Sequence, residues 1–185
     1  MGKAIATYGI AAAGILLARH QMLLTGEYLL FAAVLVAVAA ADIRYRIIPD
    51  VLLILALAIR AAYLVVCLLL PAAAQVQAGD GAAEALRSVL GALCLPALLL
   101  AAAALAGRVT EKTPIGGGDV KLFAVIGAYF GWRAGLAVMF ASCLFALPIA
   151  GIQRASDRRA GRQSDDTFPF APAIALACWA GMLVL

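Results

Sequence analysis

Residues 115–121 read IGGGDVK, a stretch that places one carboxylate, Asp119, directly behind three glycines and at the start of an apolar run. A second carboxylate, Asp42, ends another apolar run, and the residues that follow it, IRYRIIPD, finish at Asp50. Acidic residues at membrane depth are rare and tend to mark function. The two stretches therefore indicate a site that holds two acids at one face of a bilayer.

The composition is that of a membrane protein. Of the 185 residues, 66% are hydrophobic and 13% are charged, and the mean hydropathy is +1.05. A soluble domain is about half apolar and about a quarter charged. We predict an all-α fold, a polytopic membrane helical bundle of about seven helices that forms a single domain over residues 1–185. The net charge is +4, but the sequence has no basic patch interleaved with aromatic residues. It therefore indicates no nucleic-acid partner.

Seven apolar runs are candidates for these helices. They cover residues 4–24, 28–41, 49–70, 86–106, 119–131, 134–152 and 168–185. The first run follows Lys3, and no cleavage signal precedes the second run, so it is interpreted as a retained helix rather than a signal peptide. Polar connections are predicted at residues 19–27, 71–84, 107–118 and 154–166.

Lysine and arginine predict the topology, including that of the fifth run, which is short enough to be re-entrant. If all seven runs cross, ten of these cations fall on one side and three on the other, with Arg60 left inside a span. If the fifth run does not cross, the split becomes seven and six. The positive-inside rule therefore favours seven crossings with a cytosolic N-terminus, which puts Asp42 and Asp119 on the cytosolic side. Tyr129 and Trp132 then fit an outer aromatic belt.

The cysteines give no sign of a metal or a disulfide. Cys67, Cys94, Cys143 and Cys178 lie singly in apolar runs without any C-x-x-C pair, so buried free thiols are predicted. No His/Cys cluster has ligand spacing, and no glycine-rich nucleotide fingerprint follows a predicted strand. We expect neither a metal nor any other cofactor.

Each acid taken alone has a structural interpretation. Asp119 can act as the N-cap of the helix that starts there. Lys121 points away from Asp119 on a helix, so it is expected to extend to the lipid headgroups. Asp42 can be an interfacial residue that pairs with Arg44 or Arg46.

The pair of acids predicts more than either member. Two carboxylates in one site cannot both ionise easily, so one keeps a proton while the other stays charged. The charged acid can then take a proton from water while the protonated acid polarises a peptide carbonyl, which is the chemistry of an aspartyl protease. Gly116, Gly117 and Gly118 leave room for an extended substrate chain, and side chains at Gly116 and Gly118 would crowd Asp119.

Asp42 is preferred to Asp50 as the partner of Asp119. Asp50 follows Pro49 in the first turn of the third helix, where the helix dipole stabilises a negative charge by about 0.3–1 kcal/mol. Asp42 instead ends a helix, where the dipole opposes an anion, so Asp42 is predicted to be the protonated member. The two acids would titrate as a coupled pair and give a bell-shaped pH–rate profile.

The spaced blocks D-x6-P-D, from Asp42 to Asp50, and G-x-G-D-x-K, from Gly116 to Lys121, resemble those of the type IV prepilin peptidases. These are polytopic aspartyl endopeptidases of the GxGD type. Residues 169–172, PFAP, are similar to the family's P-F-G-P motif, with alanine in place of the usual glycine. The resemblance implies that Asp42 and Asp119 are the catalytic pair. The site-shaping residues that it implies are Gly116, Gly117, Gly118, Lys121, Pro49, Asp50, Pro169, Phe170 and Pro172.

The same resemblance implies a substrate and a location. The partners would be prepilin or pseudopilin precursor peptides, whose short basic leader is cut at the cytosolic face of the bacterial inner (cytoplasmic) membrane, and membrane lipid. Larger members carry an N-terminal domain with paired C-x-x-C zinc ligands, associated with N-methylation. The first run here starts almost at Met1, so the chain resembles the compact, peptidase-only branch that serves Flp/Tad-type pili.

Parts of the sequence also fit two other functions. A proton- or cation-coupled transporter or channel subunit would use Asp42 and Asp119 as a relay, and Arg60, which is costly inside a span, gives that alternative its best support. Arg60 is otherwise expected to face the bundle interior or water and to pair with an acid that the sequence does not identify. A serine intramembrane protease is disfavoured because a G-x-S-G-like motif is missing and His20, the sole histidine, is predicted on the opposite side. The sequence specifies neither the particular precursor nor an oligomeric state.

Overall fold

A computed structural model describes residues 22–70, 80–108, 116–159 and 169–184. Within these residues every regular element is a helix, which confirms the all-α prediction. The helices are α1 (Met22–Tyr45), α2 (Asp50–Leu69), α3 (Asp80–Gly107), α4 (Gly117–Arg159) and α5 (Ala171–Val184).

Four of the described helices, α1 to α4, are long and apolar enough to cross a membrane, and α5 is a shorter apolar helix. These criteria are length and composition, and they fit the predicted helical membrane bundle. The first predicted run, residues 4–24, lies almost wholly outside the described residues. The count of seven crossings therefore stays a prediction.

Helix α4 is broken at Gly131, whose torsion angles (φ 70°, ψ −179°) lie in a region that only glycine adopts readily. Before the break, Gly127 lies against Gly91 of α3 and Gly131 lies near Arg87, so the two helices run antiparallel. After the break, Gly135 lies against Leu95, which reverses the order. We call residues 117–130 the first limb and residues 132–159 the second limb. The chain turns back between them, as the boundary between the fifth and sixth runs predicts.

The core lies where α1, the first limb and α5 meet. Phe31 stacks on Tyr129 with ring centroids 3.8 Å apart, and Phe123 and Ile174 are fully buried in the same cluster. The large exposed side chains of α2, α3 and the second limb are mostly leucine, isoleucine, valine and phenylalanine. Such outer surfaces suit contact with lipid, because lipid tails are as apolar as leucine. The first limb and α5 are therefore more enclosed than these outer helices.

Three predicted boundaries are wrong, each where charge suggested a connection. Glu27 lies inside α1 and is buried, although residues 19–27 were expected to connect two runs. Glu84 lies inside α3, which begins at Asp80, within the predicted 71–84 loop. Both carboxylates bind Arg60, which offsets the cost of placing them in an apolar bundle. Helix α4 also continues to Arg159, into the predicted 154–166 loop, and residues 160–166 lie outside the described residues.

Two predictions about side-chain exposure are also corrected. Tyr129 is buried rather than part of an outer belt, because its ring stacks in the core and its hydroxyl donates to the carbonyl oxygen of Ala56 at 2.8 Å. Trp132, the other predicted belt residue, is exposed. All four cysteines are free, as predicted, but Cys94 and Cys143 are exposed on the bundle surface because their helix faces look outward.

Candidate functional site

The structure places Asp42 and Asp119 at the same end of the bundle. Asp42 lies in the last turn of α1 and is buried, and Asp119 lies in the first turn of α4 and is half-buried. The two groups are close enough to interact electrostatically as like charges. Two carboxylates that repel one another in a poorly hydrated place cannot both ionise easily.

The end of α1 is shaped by Arg46. Its φ of 54° is in the left-handed region, where a non-glycine residue costs roughly 1–2 kcal/mol. Its N–H donates to the carbonyl oxygen of Asp42 at 2.8 Å, which is the αL ending usually made by glycine. The positive charge of Arg46 also acts on the Asp42 carboxylate. An arginine in this strained place therefore contributes a charge that glycine would not.

The N-terminus of α5 holds Asp42. The N–H of Ala171, the first residue of α5, donates to Oδ2 of Asp42 at 2.9 Å. A helix N-terminus stabilises a carboxylate through its free N–H groups and its dipole. The expectation that the helix field simply opposes a charge on Asp42 is therefore wrong, because α5 counters the end of α1. The contact spans 129 positions in the sequence, so no local pattern announces it.

Asp119 is not the N-cap of α4. The helix begins at Gly117, and the N–H of Asp119 donates to the carbonyl oxygen of Gly116 at 3.1 Å. The Asp119 carboxylate accepts no hydrogen bond from residues 22–70, 80–108, 116–159 or 169–184. The like charge of Asp42 acts on the Asp119 carboxylate.

The three glycines differ in their surroundings. A Cβ atom at Gly116 would lie 3.3 Å from Oδ2 of Asp119, and one at Gly118 would lie 3.2 Å from Ile48. A Cβ at Gly117 would meet nothing within 4 Å. Crowding of Asp119 thus applies at Gly116, whereas at Gly118 the crowded group is Ile48, just ahead of α2.

Lys121 and Asp50 form an ion pair beside the two acids. The Lys121 ammonium lies 2.8 Å from both carboxylate oxygens of Asp50, and both side chains are more than half exposed. Lys121 is thus paired rather than simply extended toward headgroups, because Asp50, at the start of α2, is within its reach. Pro49 precedes α2 in an extended conformation.

The PFAP motif forms the start of α5. The carbonyl oxygen of Phe170 accepts from the N–H groups of Ala173 and Ile174 at 3.0 and 3.2 Å, and its ring lies 6.4 Å from that of Phe123. Pro169 and Pro172 are half-buried on either side of Phe170 and Ala171. Phe168 lies outside the described residues. The motif therefore fixes the helix end that holds Asp42.

A second polar centre surrounds Arg60, which is buried. We call Arg60, Glu27, Glu84 and Ser88 the Arg60 cluster. Nη1 of Arg60 lies 3.0 and 3.2 Å from the two carboxylate oxygens of Glu27, Nη2 donates to Glu84, and Nε lies 2.9 Å from Ser88 Oγ. The prediction that Arg60 faces the bundle interior and pairs with an acid is confirmed. Sequence reasoning missed its two partners because both were assigned to connections.

Among the described residues, no group of three or more histidine, cysteine, aspartate or glutamate side chains is placed to hold a metal ion. The expectation of a metal-free site stays a prediction.

Comparison with known proteins identifies a family. A sequence model described as the type IV leader peptidase family matches residues 29–151, which include Asp42, Asp119 and the three glycines. No curated protein and no solved structure matches the chain.

Proposed function

Because the chain belongs to the type IV leader peptidase family, we propose that it is a membrane-embedded aspartyl endopeptidase that cuts leaders from type IV pilin-like precursors with Asp42 and Asp119. Membership of the family supports a peptidase that acts on prepilin-type substrates. The aspartyl mechanism is carried by the approach of two carboxylates at the ends of α1 and α4.

The proposed mechanism uses one proton shared by the two acids. Asp42 accepts the N–H of Ala171, a charge-assisted bond that suits the ionised member of the pair. We therefore assign Asp42 as the base, the reverse of the role predicted from the end of α1 alone. Asp42 takes a proton from water while protonated Asp119 donates a hydrogen bond to the scissile carbonyl oxygen. The hydroxide adds to the carbonyl carbon, and the intermediate collapses as the proton passes to the departing amine nitrogen.

The surroundings of the pair suit an extended peptide. The open space at Gly117 and the missing side chain at Gly116 leave an approach to Asp119. The exposed pair of Lys121 and Asp50 lies on the same side of the bundle, in a place that suits the aqueous face. With the predicted topology, this face is the cytosolic side of the bacterial inner membrane, where precursor peptides are presented.

The experiment is cleavage of a candidate prepilin by the purified protein in detergent, with sequencing of the new N-terminus. We expect a single cut between the leader and the hydrophobic helix. A matched sample in liposomes is tested for proton and cation flux, since a transporter would use the same acids. Flux without cleavage of any pilin-like precursor would overturn the proposal.

A further inference from the structure

The break in α4 leaves the last carbonyl groups of the first limb without the N–H donors that a continuous helix supplies. Side chains from other helices take their place. Nε of Arg60 lies 2.9 Å from the carbonyl oxygen of Ala128, and the Ser88 hydroxyl donates to the same oxygen. The first limb is therefore capped at its end by α2 and α3.

The next carbonyl group along the chain, that of Tyr129, also accepts a hydrogen bond from a side chain of another helix. The Tyr28 hydroxyl, from α1, lies 3.3 Å from the carbonyl oxygen of Tyr129. Carbonyl groups buried without donors are costly, so these contacts make the break compatible with an apolar bundle. Three helices thus contribute donors to the end of one limb.

Charge pairing keeps the Arg60 side chain at this cap. Its guanidinium binds Glu27 and Glu84, and Glu84 also lies 3.8 Å from the exposed Arg87. The four charges balance. Moving Arg60 away from Ala128 would leave Glu27 as an unpaired buried anion, which is strongly unfavourable.

The cap fixes the first limb along its axis. Helix α2 and the first limb run parallel, with Arg60 bound to Ala128 at one end and Asp50 bound to Lys121 at the other. Asp119 lies on the same unbroken limb as Ala128, about 14 Å away at about 1.5 Å per residue. An axial shift at the cap would therefore move Asp119. Asp42 has a holding contact of its own, the N–H of Ala171 at the start of α5.

We propose that Arg60 is a positioning residue that sets the axial register of the first limb, and hence the depth of Asp119 relative to Asp42, by capping the carbonyl group of Ala128. The proposal rests on the peptidase function, since the depth of Asp119 matters to the reaction only if the two acids act together. It gives the buried arginine a role outside ion transport and away from the reacting atoms.

The register is measured first, without any substrate. Cysteines replace Asp50 and Lys121, and a short hydrophilic bifunctional thiol reagent joins them. Cys94 and Cys143 are replaced by alanine because they are exposed, whereas Cys67 and Cys178 are buried and stay. The variant Glu27→Gln/Arg60→Met removes both buried charges together, so the bundle keeps no unpaired ion. We expect it to slow cross-linking, while Arg87→Gln, which alters an exposed arginine of the same cluster region, leaves the rate unchanged.

Cleavage is measured next, in proteins that keep Asp50 and Lys121. Glu27→Gln/Arg60→Met should lower kcat by about 100-fold, the loss expected for a misplacement of about 1 Å, with little change in KM. Arg60→Lys keeps the charge but lacks the fork that reaches Ala128 and both carboxylates, so it should not restore kcat or the cross-linking rate. Ser88→Ala removes one hydrogen-bond donor and no charge. It should lower both the cross-linking rate and kcat, but by less than the double variant does.

The outcomes separate the two proposals. One outcome is that cross-linking is slower in the double variant while neither it nor the unsubstituted protein cleaves a precursor. That result would support the role of Arg60 in the register and would overturn the peptidase function. Unchanged cross-linking and kcat in Ser88→Ala and in the double variant, or full recovery with Arg60→Lys, would overturn the positioning role. If the double variant does not fold, Ser88→Ala alone decides, because it keeps every ion pair.

Discussion

The two polar centres of the bundle treat charge in opposite ways. In the Arg60 cluster each buried charge has a partner of opposite sign, and the remaining donors reach Ser88 and the carbonyl of Ala128. At the other end two carboxylates act on one another as like charges, with one N–H and the charge of Arg46 to offset them. Both centres hold ionisable groups within apolar helices, so their presence alone does not distinguish structure from chemistry.

The two centres differ in how many of their charges and hydrogen-bonding groups still lack a partner in the described part of the chain. A fully paired cluster has little capacity to bind water or a peptide, and its groups stabilise the bundle only as a set. A pair of carboxylates has oxygen atoms free to accept hydrogen bonds and a proton that can be transferred. A hydrolytic site requires both. The balance of charge around each group therefore points to its role more reliably than burial does.

The largest expected effect is on catalysis at the acid pair. Asp42→Asn and Asp119→Asn should each lower single-turnover cleavage by about 100- to 10,000-fold, because each removes a proton-transfer group. Thermal unfolding in detergent should change little, since neither residue is part of a balanced ion cluster. Asp50→Asn is the matched control and should keep substantial activity. An inactive Asp50→Asn with an active Asp42→Asn would mean that the dyad is wrongly assigned.

The Arg60 cluster should respond in stability instead. Arg60→Ala leaves Glu27 buried without its partner, and we expect a loss of about 3–5 kcal/mol in the free energy of unfolding. Glu27→Gln/Arg60→Met should lose less than Arg60→Ala, because it leaves no unpaired charge. Thermal unfolding of the two variants in the same detergent measures this order. The reverse order would show that the cluster is not held together by charge balance.

The break between the limbs gives an effect of intermediate size. Gly131→Ala should cost about 1–3 kcal/mol, because φ 70° with ψ −179° is essentially reserved for glycine. A Cβ there would meet Arg87 atoms no closer than 3.7 Å, so the cost is in the backbone and not in packing. Gly151→Ala, in open space on the second limb, is the control and should raise stability by up to about 1 kcal/mol. Equal effects at the two positions would contradict a strained break.

The glycines beside Asp119 sharpen the description of the acid pair. Gly116→Ala should slow cleavage roughly tenfold, because its Cβ would lie 3.3 Å from Oδ2 of Asp119 and would shift a reacting group. Gly117→Ala has open space around it and should leave the rate within about twofold of the unsubstituted protein. Cleavage assays under single-turnover conditions compare the two. If Gly117→Ala slowed cleavage and Gly116→Ala did not, the substrate would have to approach the acids by another side.

The smallest effect belongs to the exposed ion pair. Lys121→Met should cost about 0.2–1 kcal/mol of stability, since exposed pairs are weak and screened by salt. The difference from the unsubstituted protein should shrink as salt is raised. Unfolding measured at low and high ionic strength tests this. A loss as large as that of Arg60→Ala would erase the distinction between the two centres.

The sequence predicted the acids more completely than their surroundings. Asp42 follows the end of one apolar run and Asp119 begins another, so a one-dimensional pattern is enough to single them out. The fold class and the turn near Gly131 follow from apolar run lengths in the same way. These features depend on residues that are neighbours in the chain.

What the sequence did not predict depends on contacts between distant helices. Glu27 and Glu84 look like loop residues until Arg60 supplies their counter-charge. Ala171 fills a motif position usually held by glycine, and its backbone N–H is the group that reaches Asp42. A backbone donor has no residue type that marks it, so no pattern of letters identifies it. The contact of Gly91 with Gly127 was missed for a related reason, since a glycine needed for close approach looks like any other glycine.

The bond between Ala171 and Asp42 has a consequence for the making of the protein. A ribosome adds roughly 5–20 residues per second, so Ala171 emerges roughly 6–26 s after Asp42. During that interval the first of the two acids is already synthesised but lacks the N–H that holds it. The complete arrangement forms only when α5 packs beside α1. Assembly of the acid pair with its backbone donor therefore waits for the synthesis of α5, the last described helix.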